Sequence, residues 1–111
     1  MQNYLTSVRI HDDVLHYLIR LCERTRELPA IELGVSPRGV LALTQMTKAH
    51  AVLMDRNYAL PQDVRAVFND VCAHRLILRP QARVEGIMPK ALMNAVLDEI
   101  APPQKPGGAR A

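Results

Sequence analysis

Apolar residues recur at helical spacing in four stretches of this chain. From Asp12, the positions Val14, Leu15, Leu18, Ile19, Leu21 and Cys22 fall on one face of a helix. Asp12 and Asp13 open it, where carboxylates cap free N–H groups, and Arg24 and Arg26 occupy its last turn, where cations complement the helix dipole. A second helix runs from Pro37 to about Asp55 and is apolar or small nearly all the way round, through Val40, Leu41, Ala42, Leu43, Met46, Ala49, Ala51, Val52, Leu53 and Met54. A helix with no polar face belongs at the centre of a fold, so this one is predicted to be the central helix. Pro61 opens a third, with Val64, Val67, Phe68, Val71 and Cys72 in one stripe, and Pro89 a fourth, with Leu92, Met93, Val96, Leu97 and Ile100.

The segments between are short. Leu28 to Leu33 is an extended connector, since Pro29 disfavours helix at Leu28. Asn57-Tyr58 is a turn, and Arg79 to Gly86 is a polar connector. Val8-Arg9-Ile10 and Leu76-Ile77-Leu78 are the only strand candidates, and the pairing open to them is with each other. The fold class is therefore all-α: a small bundle of about four helices with one short two-stranded pairing. The helical domain is expected over residues 1–100. Ala101 to Ala111, with three prolines, two glycines and no large apolar side chain, is expected to be a disordered tail.

At 111 residues the chain makes one domain. Its formal charge of +3 suggests nucleic acid until it is located: without Lys105 and Arg110 in the tail, twelve basic side chains face eleven acidic ones. That near-neutral domain lacks the concentrated basic face of a nucleic-acid binder. Cys22 and Cys72 sit among apolar helical neighbours without metal-ligand spacing and are expected as buried, reduced thiols. His11, His16, His50 and His74 contain no i, i+4 pair, so no metal site is expected. With no signal peptide and no apolar run long enough to span a membrane, a cytoplasmic location is expected and no membrane partner.

The chemistry concentrates at the start of the second helix. Ser36 is a favoured N-cap and Pro37 suits the first helical position, where its missing N–H has no partner to lose. Arg38 then adds a permanent cation with planar donors to the positive end of the helix, an arrangement that attracts a phosphate. Nothing in the chain holds a nucleotide alone. No G-x-x-x-x-G-K-[ST] stretch occurs, and no apolar strand ends in paired acids for magnesium. No catalytic residue is expected within this chain.

Four ordered blocks carry a family resemblance: Thr25-Arg26, Leu33 to Arg38, Asp55 to Val64, and Ala73-His74-Arg75-Leu76. Over roughly residues 7 to 100 the chain resembles the C-terminal lid domain of MoxR-type AAA+ ATPases. The resemblance implies that Arg38, with Ser36, senses the nucleotide phosphate as the sensor-2 arginine. It also implies that ATP and magnesium act only in a full-length protein, held by a preceding α/β core domain, so the chain is expected to be a piece of a longer one. Implied partners are that core, neighbouring subunits of a ring, and proteins with von Willebrand A domains. Arg26 and Arg75 are the candidate intersubunit residues. Helix-end stabilisation competes as an explanation for both, with His74 expected to be partly buried and Arg75 to lie against the last carbonyls of the third helix. Two positions depart from the family: Asp55 replaces a common glycine, and Leu60 a common threonine cap, so the third helix is expected to fray at its start. The rival functions are a small DNA-binding module, with the helix at Ser36 as recognition helix, and a scaffold without a ligand.

Overall fold

The computed structural model describes residues 8–103. Within them lie five helices: α1 (Asp12–Glu27), α2 (Pro37–Leu53), α3 (Pro61–Cys72), α4 (Pro80–Val84) and α5 (Pro89–Glu99). Four short strands, β1 (Arg9–Ile10), β2 (Ile31–Leu33), β3 (Tyr58–Ala59) and β4 (Ile77–Leu78), and a 3-10 turn over Ala73–Arg75 connect them. The four expected helices all form, each burying its stripe. Leu18, Leu21 and Cys22 of α1, Leu43 of α2, Val64, Phe68 and Cys72 of α3, and Met93 and Val96 of α5 meet in one core with no solvent exposure. The Cys22 and Cys72 thiols are free and buried side by side. Their mutual hydrogen bond and their burial push the Cys72 thiol far above its ordinary range.

Several expectations change. The helices number five, because Pro80 starts one turn of helix inside the connector after Arg79; only Ala82 of α4 reaches the core, too little to leave a stripe in the sequence. The two strand candidates do not pair with each other. β1 runs parallel to β3, with Arg9 opposite Tyr58 and Ile10 opposite Ala59. β2 runs antiparallel to β4, with Ile31 opposite Leu78 and Leu33 opposite Ile77. The connector after α1 and the turn at Tyr58 thus each supply a strand. α1 is capped by His11, whose Nδ1 accepts from the Asp13 N–H at 3.4 Å, while Asp12 and Asp13 occupy the first turn. α2 is not central: Gly39, Leu43, Thr47 and Ala51 are buried, but Leu41, Met46 and Leu53 on other sides are exposed. Of the expected tail, Ala101 to Pro103 are neither helix nor strand, and the remainder lies outside the described residues.

Two helices end in the same way. After α2 the Asp55 N–H donates to Val52 O at 2.8 Å and the Arg56 N–H to Ala51 O at 2.9 Å. After α4 the Gly86 N–H donates to Arg83 O and the Ile87 N–H to Ala82 O, both at 3.0 Å. This double closure requires a left-handed residue at the first position past the cap. Gly86 takes it with φ 80° and Asp55 with φ 66°. Glycine does so without steric cost, whereas a residue with a Cβ is strained there.

The start of α3 is held by the most heavily bonded side chain of the fold. Asp63 has no solvent exposure. Its Oδ2 accepts from Arg56 Nη1 at 2.7 Å and from the Leu60 N–H at 2.6 Å, and its Oδ1 from Arg56 Nη2 at 2.9 Å. His50 Nδ1 on α2 lies 2.6 Å from Oδ1, so that nitrogen carries a proton. Leu60 makes no side-chain cap, as expected, but the carboxylate three residues on accepts from the Leu60 N–H and ties the helix entry to Arg56 and His50. Burial alone would push the Asp63 carboxyl up; the Arg56 guanidinium, the Leu60 N–H and His50 outweigh it and hold the group below the usual carboxylate range.

Asp55→Gly is expected to stabilise the domain by about 0.5–1 kcal/mol, and Gly86→Ala to destabilise it by about 1 kcal/mol, since a Cβ at Gly86 meets nothing and only backbone strain changes. Urea melts of the two variants check both signs. Asp63→Asn should cost about 3–5 kcal/mol near neutral pH, because it leaves Arg56 without its counter-charge. The folded carboxyl titrates below its unfolded value of about 3.9, so its contribution is complete above that pH and disappears as pH falls through the folded value. In urea melts the gap between wild type and variant should then hold from about pH 6 to about pH 4 and narrow as pH falls below about 3.9. A constant gap would show that charge is not its origin.

Candidate functional site

The four site residues expected from the sequence gather around one helix start. The strand β2 ends at Leu33, and the chain from Gly34 to Ser36 is strapped across the last turn of α1. Thr25, fully buried, accepts from the Val35 N–H at 3.0 Å and donates to Cys22 O at 2.6 Å. Arg26 donates from Nε and Nη2 to Val35 O, at 3.2 and 3.0 Å. Both polar groups of Val35 are thus satisfied by consecutive side chains of α1, which lets its own side chain be buried completely. Only glycine permits the crossing: a Cβ on Gly34 would lie 2.7 Å from Thr25 Oγ1 and 2.8 Å from the Arg26 backbone nitrogen.

Ser36 caps α2, its Oγ accepting from the Gly39 N–H at 3.2 Å while its carbonyl accepts from the Val40 N–H at 2.9 Å. The hydroxyl oxygen is thus engaged as an acceptor, and its hydrogen remains free to donate. Pro37 has no N–H, so the Arg38 N–H is what the first turn leaves without a partner among the described residues. The Arg38 side chain is exposed and makes no hydrogen bond or ion pair among the described residues. No acidic residue stands in that first turn.

Arg75 reaches the same place from the 3-10 turn after α3. A Cβ on Gly39 would lie 3.2 Å from Arg75 Cδ and 2.6 Å from Val35 Cγ1, so the stem of Arg75 runs over the first turn of α2 beside Arg38. His74 and Arg75 are both exposed. The expected partial burial of His74 does not occur, since it stands on the turn and not on the α3 stripe, and among the described residues no hydrogen bond joins Arg75 to the last α3 carbonyls. Arg38 and the stem of Arg75 thus both lie at the first turn of α2, and Arg26 is spent on Val35.

Elsewhere, a groove of about 1040 Å³ lies between β1, β3 and the starts of α1 and α3, lined by Ile10, Val14, Tyr58, Leu60, Pro61 and Pro102 among others; no residue from the strap or the start of α2 faces it. Among the described residues no three side chains suited to a metal ion come together, and no helix is long and apolar enough to cross a membrane. What the sequence analysis missed is Thr25 as the lock of the strap and Asp63 as the hub of a buried network. The latter left a signal, an acid three residues past the cap of a proline-opened helix.

The AAA lid domain family matches residues 23–96 of this chain. The chain is 32% identical over 110 residues to the protein YeaC of Bacillus subtilis, covering 99% of this chain and 34% of that protein. To the chaperone MoxR1 of Mycobacterium tuberculosis it is 32% identical over 113 residues, covering 94% of this chain and 30% of the relative. To protein MoxR of Paracoccus denitrificans it is 46% identical over 72 residues, 63% of this chain and 21% of that protein. A crystal structure from Cytophaga hutchinsonii, described as a candidate ATPase, superposes with a TM-score of 0.85 at 29% identity, over 92% of this chain and 34% of that one. This chain spans about a third of the length of YeaC and of MoxR1. The span matched by the family, residues 23–96, includes the strap, the capped start of α2 and the Asp63 network, and the chain belongs to the AAA lid domains of the MoxR type.

Proposed function

We propose that this lid serves a MoxR-type, chaperone-like AAA+ ATPase, and that Arg38 is its nucleotide sensor. The observation that carries the reading is a guanidinium held in the first turn of a strapped and capped helix, exposed and without a partner among the described residues. Its donors fit a phosphate oxygen: a permanent cation with planar N–H groups, one free backbone N–H and the positive end of α2, with no carboxylate in that turn to compete. ATP and magnesium would be held by the part of the protein outside this chain. The lid would close on them, and Arg38 would stabilise the closed state and the charge that develops on the transferring phosphoryl group.

Magnitudes keep the activity out of the lid itself. A charge-assisted hydrogen bond contributes about 1.5–3 kcal/mol, while even millimolar binding requires about 4 kcal/mol. The lid alone is expected neither to bind ATP measurably nor to hydrolyse it. A DNA-binding role for α2 is disfavoured by its exposed side, on which Leu41, Met46 and Leu53 outnumber the cations Arg38 and Lys48.

Arg38→Ala is expected to leave the melting temperature of the domain nearly unchanged, because the side chain touches no partner, and to lower ATP turnover of the intact ATPase by at least about tenfold, or roughly 1.4 kcal/mol of barrier. Steady-state phosphate release with a thermal melt of each protein measures both. Wild-type turnover in a correctly folded variant would remove the sensor assignment.

A further inference from the structure

Two arginines in the last turn of α1 are used in opposite ways. Arg24 pairs with carboxylates, Glu99 at 2.9 Å and Glu27 at 3.3 Å. Arg26 has no acidic partner among the described residues and turns Nε and Nη2 onto one neutral oxygen, the Val35 carbonyl. Two donors of a planar fork fix an acceptor more closely than one, because both directions must be met at once. What that oxygen governs lies a few residues on. Val35 is fully buried, and a Cβ on Gly39 would lie 2.6 Å from its Cγ1, so the first turn of α2 rests on the Val35 side chain. Between Val35 and Arg38 stand only two residues. Ser36 is extended, at φ −78° and ψ 168°, and its hydroxyl is tied to the Gly39 N–H; the ring of Pro37 fixes its own φ. The Arg38 side chain makes no hydrogen bond or ion pair among the described residues, so the backbone alone aims it.

We propose that Arg26 is a positioning residue for Arg38: by holding the Val35 carbonyl to α1 it sets where α2 begins, and hence where the Arg38 guanidinium meets a phosphate. The inference rests on the reading of Arg38 given above, and it gives Arg26 a task within its own chain instead of at a neighbouring subunit. Placement of this kind weighs heavily in catalysis, since a shift of about 1 Å lowers a rate on the order of a hundredfold. Thr25 holds the other polar group of Val35 but is buried in the core. Arg26 is exposed and can be replaced without opening a cavity.

A double-mutant cycle separates positioning from plain stability. Arg26→Ala, Arg38→Ala and the double variant are made in the intact ATPase, and kcat for ATP is measured with the sedimentation of each protein. Arg26→Ala should lower kcat at least about fivefold beside an intact Arg38, and less than about twofold where Arg38 is already alanine. Arg26→Lys, which keeps the cation but not the fork, enters the same cycle in case the alanine variant does not fold. It should show a smaller loss that likewise disappears beside Arg38→Ala. A general loss of folded protein would instead lower kcat by the same factor in both backgrounds, and that result would overturn the inference. Failure of Arg26→Ala to assemble at concentrations where the wild type does would also overturn it, returning Arg26 to the contact between subunits. Wild-type kcat for Arg26→Ala beside an impaired Arg38→Ala would defeat the positioning role alone. Wild-type kcat for Arg38→Ala would defeat the sensor reading and this inference with it.

Discussion

A carboxylate removed from water must be neutralised on every side, and Asp63 imposes that requirement where α2, β3 and α3 meet. Arg56 answers it with two donors, Leu60 with its backbone and His50 with a ring nitrogen. Arg56 has a second task, since its own N–H closes the end of α2 on Ala51. The residue that ends one helix therefore anchors the start of the next, and a single side chain ties together α2 and α3, the most extensive helix pair of the fold. Asp55 accepts a left-handed backbone so that Arg56 can stand there. Local strain at one residue is outweighed by charge-assisted bonds at its neighbour.

The opposite end of α2 is fixed by different means. There the strap over Gly34 and Val35 is held by a neutral acceptor, the Thr25 hydroxyl, and a cationic donor, Arg26, both on α1, and the helix begins where the strap ends. Arg26 shows how a residue's sequence position and its role can diverge. In the last turn of a helix it suits the dipole of that helix, yet its guanidinium serves the carbonyl of a segment nine residues on, and the helix-end explanation accounts for its place but not its bonds.

The four long helices were legible because burial writes a period of 3.6 into the sequence, and the Ser36-Pro37 cap located Arg38 to the residue. α4 was not legible, since one buried alanine makes no pattern. Strand pairing failed for a related reason: two-residue strands carry no alternation, and their partners are chosen by how the helices bring them together. The apolar girth of α2 was read as burial within this chain. Hydrophobicity records that a face is covered but not by which molecule, and here Leu41, Met46 and Leu53 remain open. Asp63 was visible as a first-turn acid, while its burial was hidden because Arg56 and His50 lie on other elements.

With both ends fixed, α2 behaves as a rod pinned to the domain. Its 17 residues correspond to about 25 Å at roughly 1.5 Å per residue. Swinging the rod by about ten degrees about the Asp63 end would sweep its tip through about 4 Å on that same rise per residue. Contact with an oxygen is kept only within about 3.2 Å and fades steeply beyond. A rotation of the whole lid by that amount thus displaces Arg38 by more than the reach of a hydrogen bond, with no residue inside the lid having to rearrange.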